Sequence, residues 1–216
     1  MDWLLEGGYE RDALTCLYGA PGSGKTNFLL LAMAHSEELA GKKIIYIDTE
    51  GNFSLSRFKQ ITPEYSAILE RVIFLKPTTF EEQRKAFEKL RRIVTEKVGV
   101  IMLDSAAMLY RLELAKARDV KGVNRELGLQ LSYLTEIARK KEIPVLVTNQ
   151  VYADVESSDG KTKMVGGDIL RYASKCLIEL QQLAGGVRRA LLRKHRSLPE
   201  KELRFRITDR GVEQVE

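Results

Sequence analysis

The residues Gly19-Ala20-Pro21-Gly22-Ser23-Gly24-Lys25-Thr26 fit the phosphate-cradling pattern G-x-x-x-x-G-K-[ST], and they stand between a strand-like and a helix-like apolar run. Glycines here let the backbone fold tightly enough for successive N–H groups to point at phosphate oxygens, and a helix starting near Thr26 adds the positive end of its dipole. Lys25 then reaches the β- and γ-phosphates of a nucleoside triphosphate, and the Thr26 hydroxyl ligates Mg²⁺. The flanks supply the context: Ala13-Leu14-Thr15-Cys16-Leu17-Tyr18 reads as a buried strand and Phe28-Leu29-Leu30-Leu31-Ala32-Met33-Ala34 as a buried helix. A merely flexible loop is the bland alternative, and it leaves that setting unaccounted for.

The same signature repeats downstream. Lys43 to Asp48, Arg71 to Leu75, Val98 to Asp104 and Ile143 to Asn149 are apolar runs of the kind expected for parallel strands covered on both faces. Between them, Thr79-Phe80-Glu81-Glu82 reads as a capping box ahead of Phe87, Leu90 and Val94, and Val123, Leu127, Leu131, Leu134 and Ala138 form a second helical stripe. The stripes are core packing. Alternating strands and helices predict an α/β fold, a mostly parallel sheet flanked by helices, in one domain over residues 1–216 with ligands at the carboxyl ends of the strands. Cys176 to Leu180, Val187 to Arg193 and Glu202 to Ile207 lack helical intervals, and Gly185-Gly186 offers a turn, so antiparallel strands are expected to extend the sheet. In the last of these, Leu203, Phe205 and Ile207 point to one face and Arg204 and Arg206 to the other. Residues 153–163 are polar and read as a loop.

Residues 185–210 hold nine Lys or Arg against three acids, whereas the whole chain carries a net +5. That local excess points to a polyanion, although exposed charge also simply solubilises, and the 30% charged content suits a thermophile's surface as well. Cys16 and Cys176 lie in apolar runs without metal-site spacing and read as small core residues. The opening Met1-Asp2-Trp3-Leu4-Leu5-Glu6 has no basic n-region, and no apolar run approaches the ~20 residues that span a bilayer, so a cytoplasmic location without a membrane is expected.

Three positions at strand ends carry the candidate chemistry. Asp104 closes a Walker B run and is read as holding Mg²⁺ largely through water, a helix cap being the alternative. Glu50 is placed to orient and deprotonate an attacking water; its alternative is a solvated loop acid. Gln150 is placed to hydrogen-bond the γ-phosphate and report its loss to the segment that follows.

The ordered set Leu4-Leu5-Glu6-Gly7-Gly8, Gly19 to Thr26, Asp48-Thr49-Glu50-Gly51-Asn52-Phe53, Leu103-Asp104-Ser105-Ala106, Thr148-Asn149-Gln150-Val151 and Gly166-Gly167-Asp168-Ile169-Leu170 resembles the ATPase core of the RecA/RadA recombinase superfamily over essentially the whole chain. The resemblance implies a RecA-type fold, ATP with Mg²⁺, Glu50 as catalytic carboxylate, Gln150 as γ-phosphate sensor and Arg57 stacking on adenine. It implies DNA contacts in residues 112–124, with Lys116, Arg118 and Lys121, and in 151–165, where Asp154, Glu156 and Asp159 oppose Lys161 and Lys163. It places Lys194, His195 and Arg196 in a segment that faces a neighbouring subunit's nucleotide or DNA. The helical DNA-binding domain and subunit-joining linker that precede the core in full recombinases have no counterpart here, so filament-based strand exchange is not expected.

Together these give a weak Mg²⁺-dependent ATPase of homologous recombination and DNA repair. It is expected to bind DNA without sequence preference through Lys116, Arg118, Lys121, Lys194, Arg196, Arg204 and Arg206, and to act as a monomer or low-order oligomer beside a RadA-type recombinase and a Holliday-junction resolvase. The rival is a non-hydrolysing switch in which ATP shapes residues 151–165 for a protein partner.

Overall fold

The computed structural model describes residues 1–35, 39–153 and 162–215. Six strands run parallel in the order β3 (Val72–Leu75), β2 (Lys43–Asp48), β4 (Val98–Asp104), β5 (Val145–Ala153), β1 (Leu14–Gly19) and β7 (Cys176–Gln182). From β7 the sheet continues antiparallel through β8 (Val187–Lys194), β9 (Lys201–Thr208) and β10 (Gly211–Val215).

The apolar runs are continuous because each strand feeds two cores. In β4, Ile101 and Leu103 face the core beneath α5 (Phe80–Ile93), α6 (Met108–Lys116), α7 (Val120–Lys141) and α8 (Gly167–Ala173). Val100 and Met102 face the other core, beneath α1 (Asp2–Leu5), α2 (Lys25–His35), α3 (Leu55–Ile61) and α4 (Tyr65–Leu69). Leu127, Leu131, Leu134 and Ala138 form the buried stripe of α7, with Val123 packed at its margin. In β9, Leu203 and Phe205 are buried while Arg204 and Arg206 are exposed, and Phe205 meets Phe28 of α2 edge-on at 5.1 Å.

Several boundaries differ from the sequence reading. Thr79 caps α5 by accepting from the Glu82 N–H at 3.1 Å, but the Glu82 carboxylate returns to the Thr78 N–H at 2.8 Å, one residue before the box would have it. Strand β7 is parallel to β1, so the antiparallel portion begins one strand later than expected. Residues 112–124, where the resemblance implies DNA contacts, are the end of α6 and the start of α7 joined by Ala117, Arg118 and Asp119. Residues 151–165 include the end of β5 and the short β6 (Thr162–Met164) paired antiparallel to it; Asp154, Glu156, Asp159 and Lys161 lie outside the described residues. Strand β10, α1, α3 and α4 carry no distinct signal in the sequence. Both cysteines are buried free thiols, and burial pushes Cys176 up to about 12.

Candidate functional site

Register brings the strand-end residues together: Gly19 is level with Gln150 and Asp48 with Asp104. Asp104 and Gln150 line a cleft of about 340 Å³ together with Lys25, Thr26, Glu50 and Arg57.

At three positions the phosphate loop requires glycine. Gly19, Gly22 and Gly24 all have positive φ, and a Cβ on Gly19 would stand 2.1 Å from the Leu180 carbonyl oxygen. Ser23 Oγ is buried and has no hydrogen-bond partner among the described residues. Lys25 Nζ donates to the Gly19 and Ala20 carbonyls at 2.9 and 3.0 Å, lying folded onto the loop it serves. Burial pulls this ammonium below the ordinary lysine value, and Asp104 and Glu50 oppose the shift.

Asp104 is buried, and its carboxylate collects three hydroxyls: Thr26 at 2.7 Å and Tyr46 at 3.1 Å on one oxygen, Thr148 on the other. Burial raises its pKa, against which the Thr148 and Thr26 hydrogen bonds work. A carboxylate and a threonine hydroxyl in contact beside a phosphate loop are the donor set that a Mg²⁺ ion on a triphosphate uses, so the residues fit that group. Glu50 stands beside them. One oxygen accepts from Gln150 Nε2 at 2.9 Å and from Ser105 Oγ, and the other from Asn52 Nδ2 at 2.9 Å. The expected base and sensor are thus hydrogen-bonded to each other.

Sequence reasoning missed the supports. Asp48 accepts backbone N–H groups from Gly51 at 2.8 Å, Asn52 at 3.1 Å and Phe53 at 3.3 Å, folding the segment that presents Glu50. An Asp three residues before a glycine is a turn cue that could have flagged it. Ser105 and Thr148 have no such cue, because their partners follow from strand register alone. Arg57 lies on the cleft wall and donates to Asn27 Oδ1 at 2.8 Å and to the carbonyls of Asp209 and Gly211 at 3.2 and 3.1 Å, bracing α3 against the β9–β10 turn.

The basic residues divide. Lys194 Nζ donates to the carbonyls of Arg171 and Ser174 at 2.9 and 2.8 Å, closing the end of α8. Arg196 grips Asp12 with both Nη groups and Glu10 with Nε at 2.9 Å. His195 Nδ1 accepts from the Ser197 and Leu198 N–H groups, and its ring is buried. Arg204 lies 3.6 Å from Glu202, and Arg206 is opposite Glu213 in the ladder. Lys116, Arg118 and Lys121 are exposed and form no ion pair among the described residues, as is true of Arg111 and Arg125 nearby.

A phosphate loop after β1, acids at the carboxyl ends of the parallel strands β2 and β4 and an antiparallel extension beyond β7 define a P-loop fold of the RecA type. The Rad51 family model matches residues 1–215. The DNA repair and recombination protein RadB of Methanococcoides burtonii is 44% identical over 214 residues, 98% of this chain and 93% of that one. The protein of the same name from Methanococcus maripaludis (strain C7) is 42% identical, over 99% of this chain and 97% of its own. The crystal structure of the RadB recombinase superposes with a TM-score of 0.83 at 37% identity, covering 100% of this chain and 96% of that one. The chain belongs to the Rad51 family and groups within it with the RadB proteins.

Proposed function

We propose that the chain is an ATP-binding, slowly hydrolysing accessory protein of homologous recombination and DNA repair that contacts DNA without reading its sequence. The observation that carries this reading is the convergence in one cleft of Lys25, the Thr26–Asp104 contact and the Glu50–Gln150 hydrogen bond. The names of the relatives supply the biological setting.

Thr26 and Asp104 would hold Mg²⁺, which when bound neutralises charge on the β- and γ-phosphates. Lys25 would exchange its two loop carbonyls for phosphate oxygens, and Arg57 would lie against the adenine. Gln150 would turn from Glu50 to the γ-phosphate, leaving Glu50 free to orient and deprotonate water. Turnover is slow in this reading because Lys25 and Arg57 are the cationic side chains lining the cleft among the described residues. A further cation from outside the subunit contributes roughly 10³ or more in related phosphoryl transfer. Partners would include a RadA-type recombinase and a Holliday-junction resolvase, the protein itself being a monomer or low-order oligomer.

One observation favours the rival switch reading: both Glu50 oxygens are already engaged, by Ser105, Gln150 and Asn52. The test is ATP turnover with and without DNA in wild type and Glu50→Gln, with Lys25→Ala as the non-binding reference. Slow wild-type turnover that Glu50→Gln abolishes supports hydrolysis. Tight ATP binding with identical background turnover in both supports the switch, and wild-type affinity in Lys25→Ala overturns the site.

A further inference from the structure

The phosphate loop is held from behind by strands that carry no recognised nucleotide motif. Gln182 Nε2, at the end of β7, donates to the Pro21 carbonyl at 3.0 Å. Arg188 Nε, at the start of β8, donates to the Gly22 carbonyl at 3.2 Å, and its Nη1 donates at 3.1 Å to the carbonyl of Gly186, two residues earlier in the hairpin turn. The contacts are close: Gln182 Nε2 stands 2.8 Å from where a Cβ on Gly22 would lie. Arg188 forms no ion pair with a carboxylate among the described residues, and its Nε and Nη1 donate to backbone carbonyls instead.

A carbonyl shares its peptide unit with the N–H of the next residue. Pro21 C=O belongs with Gly22 N–H, and Gly22 C=O with Ser23 N–H. A donor bound to the carbonyl oxygen polarises the unit and makes that N–H a better donor, an effect larger for a charged partner than for a neutral one. The N–H groups of this loop are what the motif offers to phosphates. Within the loop Ser23 N–H makes a 3.2 Å bond to Ala20 O, which a phosphate oxygen could replace.

We propose that Gln182 and Arg188 are positioning residues for the nucleotide: they fix and polarise the Pro21–Gly22 and Gly22–Ser23 peptide units from the side opposite the bound phosphates. The β7–β8 hairpin is thereby part of the nucleotide site without touching the ligand. This rests on the ATP reading above. Arg188 is specific in the role because the guanidinium spans two carbonyls, on Gly22 and Gly186, which holds the loop at a set distance from the hairpin.

The experiment measures Mg²⁺-dependent affinity for ATPγS and, separately, for inorganic tripolyphosphate in wild type, Arg188→Ala, Arg188→Lys and Gln182→Ala, with the ligand-free melting temperature of each. Arg188→Ala is expected to weaken both ligands by the same factor, about tenfold, as loss of outer supporting groups does at other sites. Arg188→Lys, which keeps a cation for Gly22, should recover part of that loss, and Gln182→Ala should weaken both ligands less. Equal affinity in wild type and Arg188→Ala overturns the proposal. So does a loss confined to ATPγS, which would locate the effect at the base. An equal drop in ligand-free melting temperature for Arg188→Ala and Arg188→Lys, with no recovery of affinity in the latter, would make the contact structural and overturn it as well. If wild type itself binds neither ligand, the nucleotide reading falls and this inference falls with it.

Discussion

Replacing Asp48 by alanine removes a carboxylate that is 5% exposed and accepts N–H groups from Gly51, Asn52 and Phe53. These donors have no other acceptor among the described residues, so each is left to whatever water can reach it. Taking ~1 kcal/mol for each broken bond, the cost is about 3 kcal/mol, which for a chain of this size lowers the melting temperature by about 6–12 °C. Asp48→Asn keeps one oxygen, enough for the Gly51 and Asn52 pair, and presents an amide NH₂ to Phe53. It should cost about 1 kcal/mol, or roughly 2–4 °C.

The functional effect is separable from this. Asp48 is hydrogen-bonded to neither Lys25 nor Thr26, so ATPγS affinity in Asp48→Ala should stay within about twofold of wild type at a temperature where the variant is folded. Glu50 loses its fixed approach to the cleft, and turnover should fall by a large share of the ~10²–10⁴ that a positioned base supplies. Thermal melts by circular dichroism and steady-state turnover measure both. A melting temperature within ~2 °C of wild type in Asp48→Ala would refute the accounting of the three N–H bonds, and unchanged turnover would refute the link from Asp48 to Glu50.

Acid should expose the pairing of Arg196. Its hydrogen bonds hold Asp12 below the ordinary value of 3.8, so this pair stabilises the fold above that value and the stabilisation is lost as pH falls through the depressed pKa. Arg196→Gln should therefore lower the melting temperature near neutrality by an amount that shrinks in acid, read by melts across pH, and an undiminished gap in acid would contradict it. For DNA, Lys116→Gln, Arg118→Gln and Lys121→Gln combined should flatten the log-log salt dependence of duplex binding by about 0.9 for each phosphate that is no longer neutralised, whereas Arg196→Gln should leave the slope unchanged. The opposite pattern in fluorescence-anisotropy titrations would return the DNA site to the C-terminal strands.

What is legible in the sequence is whatever depends on residues near one another in it. The phosphate loop, the apolar strands ending in Asp48 and Asp104, and the stripe of α7 are local patterns, and the structure reproduces them with small shifts. The supports of the site are not local. Ser105 meets Glu50, Thr148 meets Asp104, and Gln182 meets Pro21 because β2, β4, β5, β1 and β7 stand side by side in a particular order. No spacing along the chain encodes that order. The end of β5 escapes the sequence pattern for a related reason: Tyr152 is polar-tipped and half exposed, and what keeps the strand going is its pairing with β6.

The charges follow the same logic. The cations of residues 185–210 are dense along the chain, but a sheet ladder sets each side chain against residues of the next strand. Arg193 finds Glu179 at 2.7 Å and Arg189 finds Glu202 at 3.3 Å. Arg196 is met by acids from the opposite end of the sequence, Glu10 and Asp12. An exposed pair of this kind adds little to stability, yet it removes most of the charge that a phosphate would feel. Lys116, Arg118 and Lys121 are fewer, but they stand where α6 gives way to α7, and among the described residues no strand pairs them with an acid. Because α7 runs back along the sheet to the amino end of β5, that junction lies toward the carboxyl ends of the strands, the side that holds the cleft. A polyanion bound at the junction would sit on the same side of the molecule as the nucleotide, and this is the arrangement in which DNA could influence turnover without either ligand displacing the other.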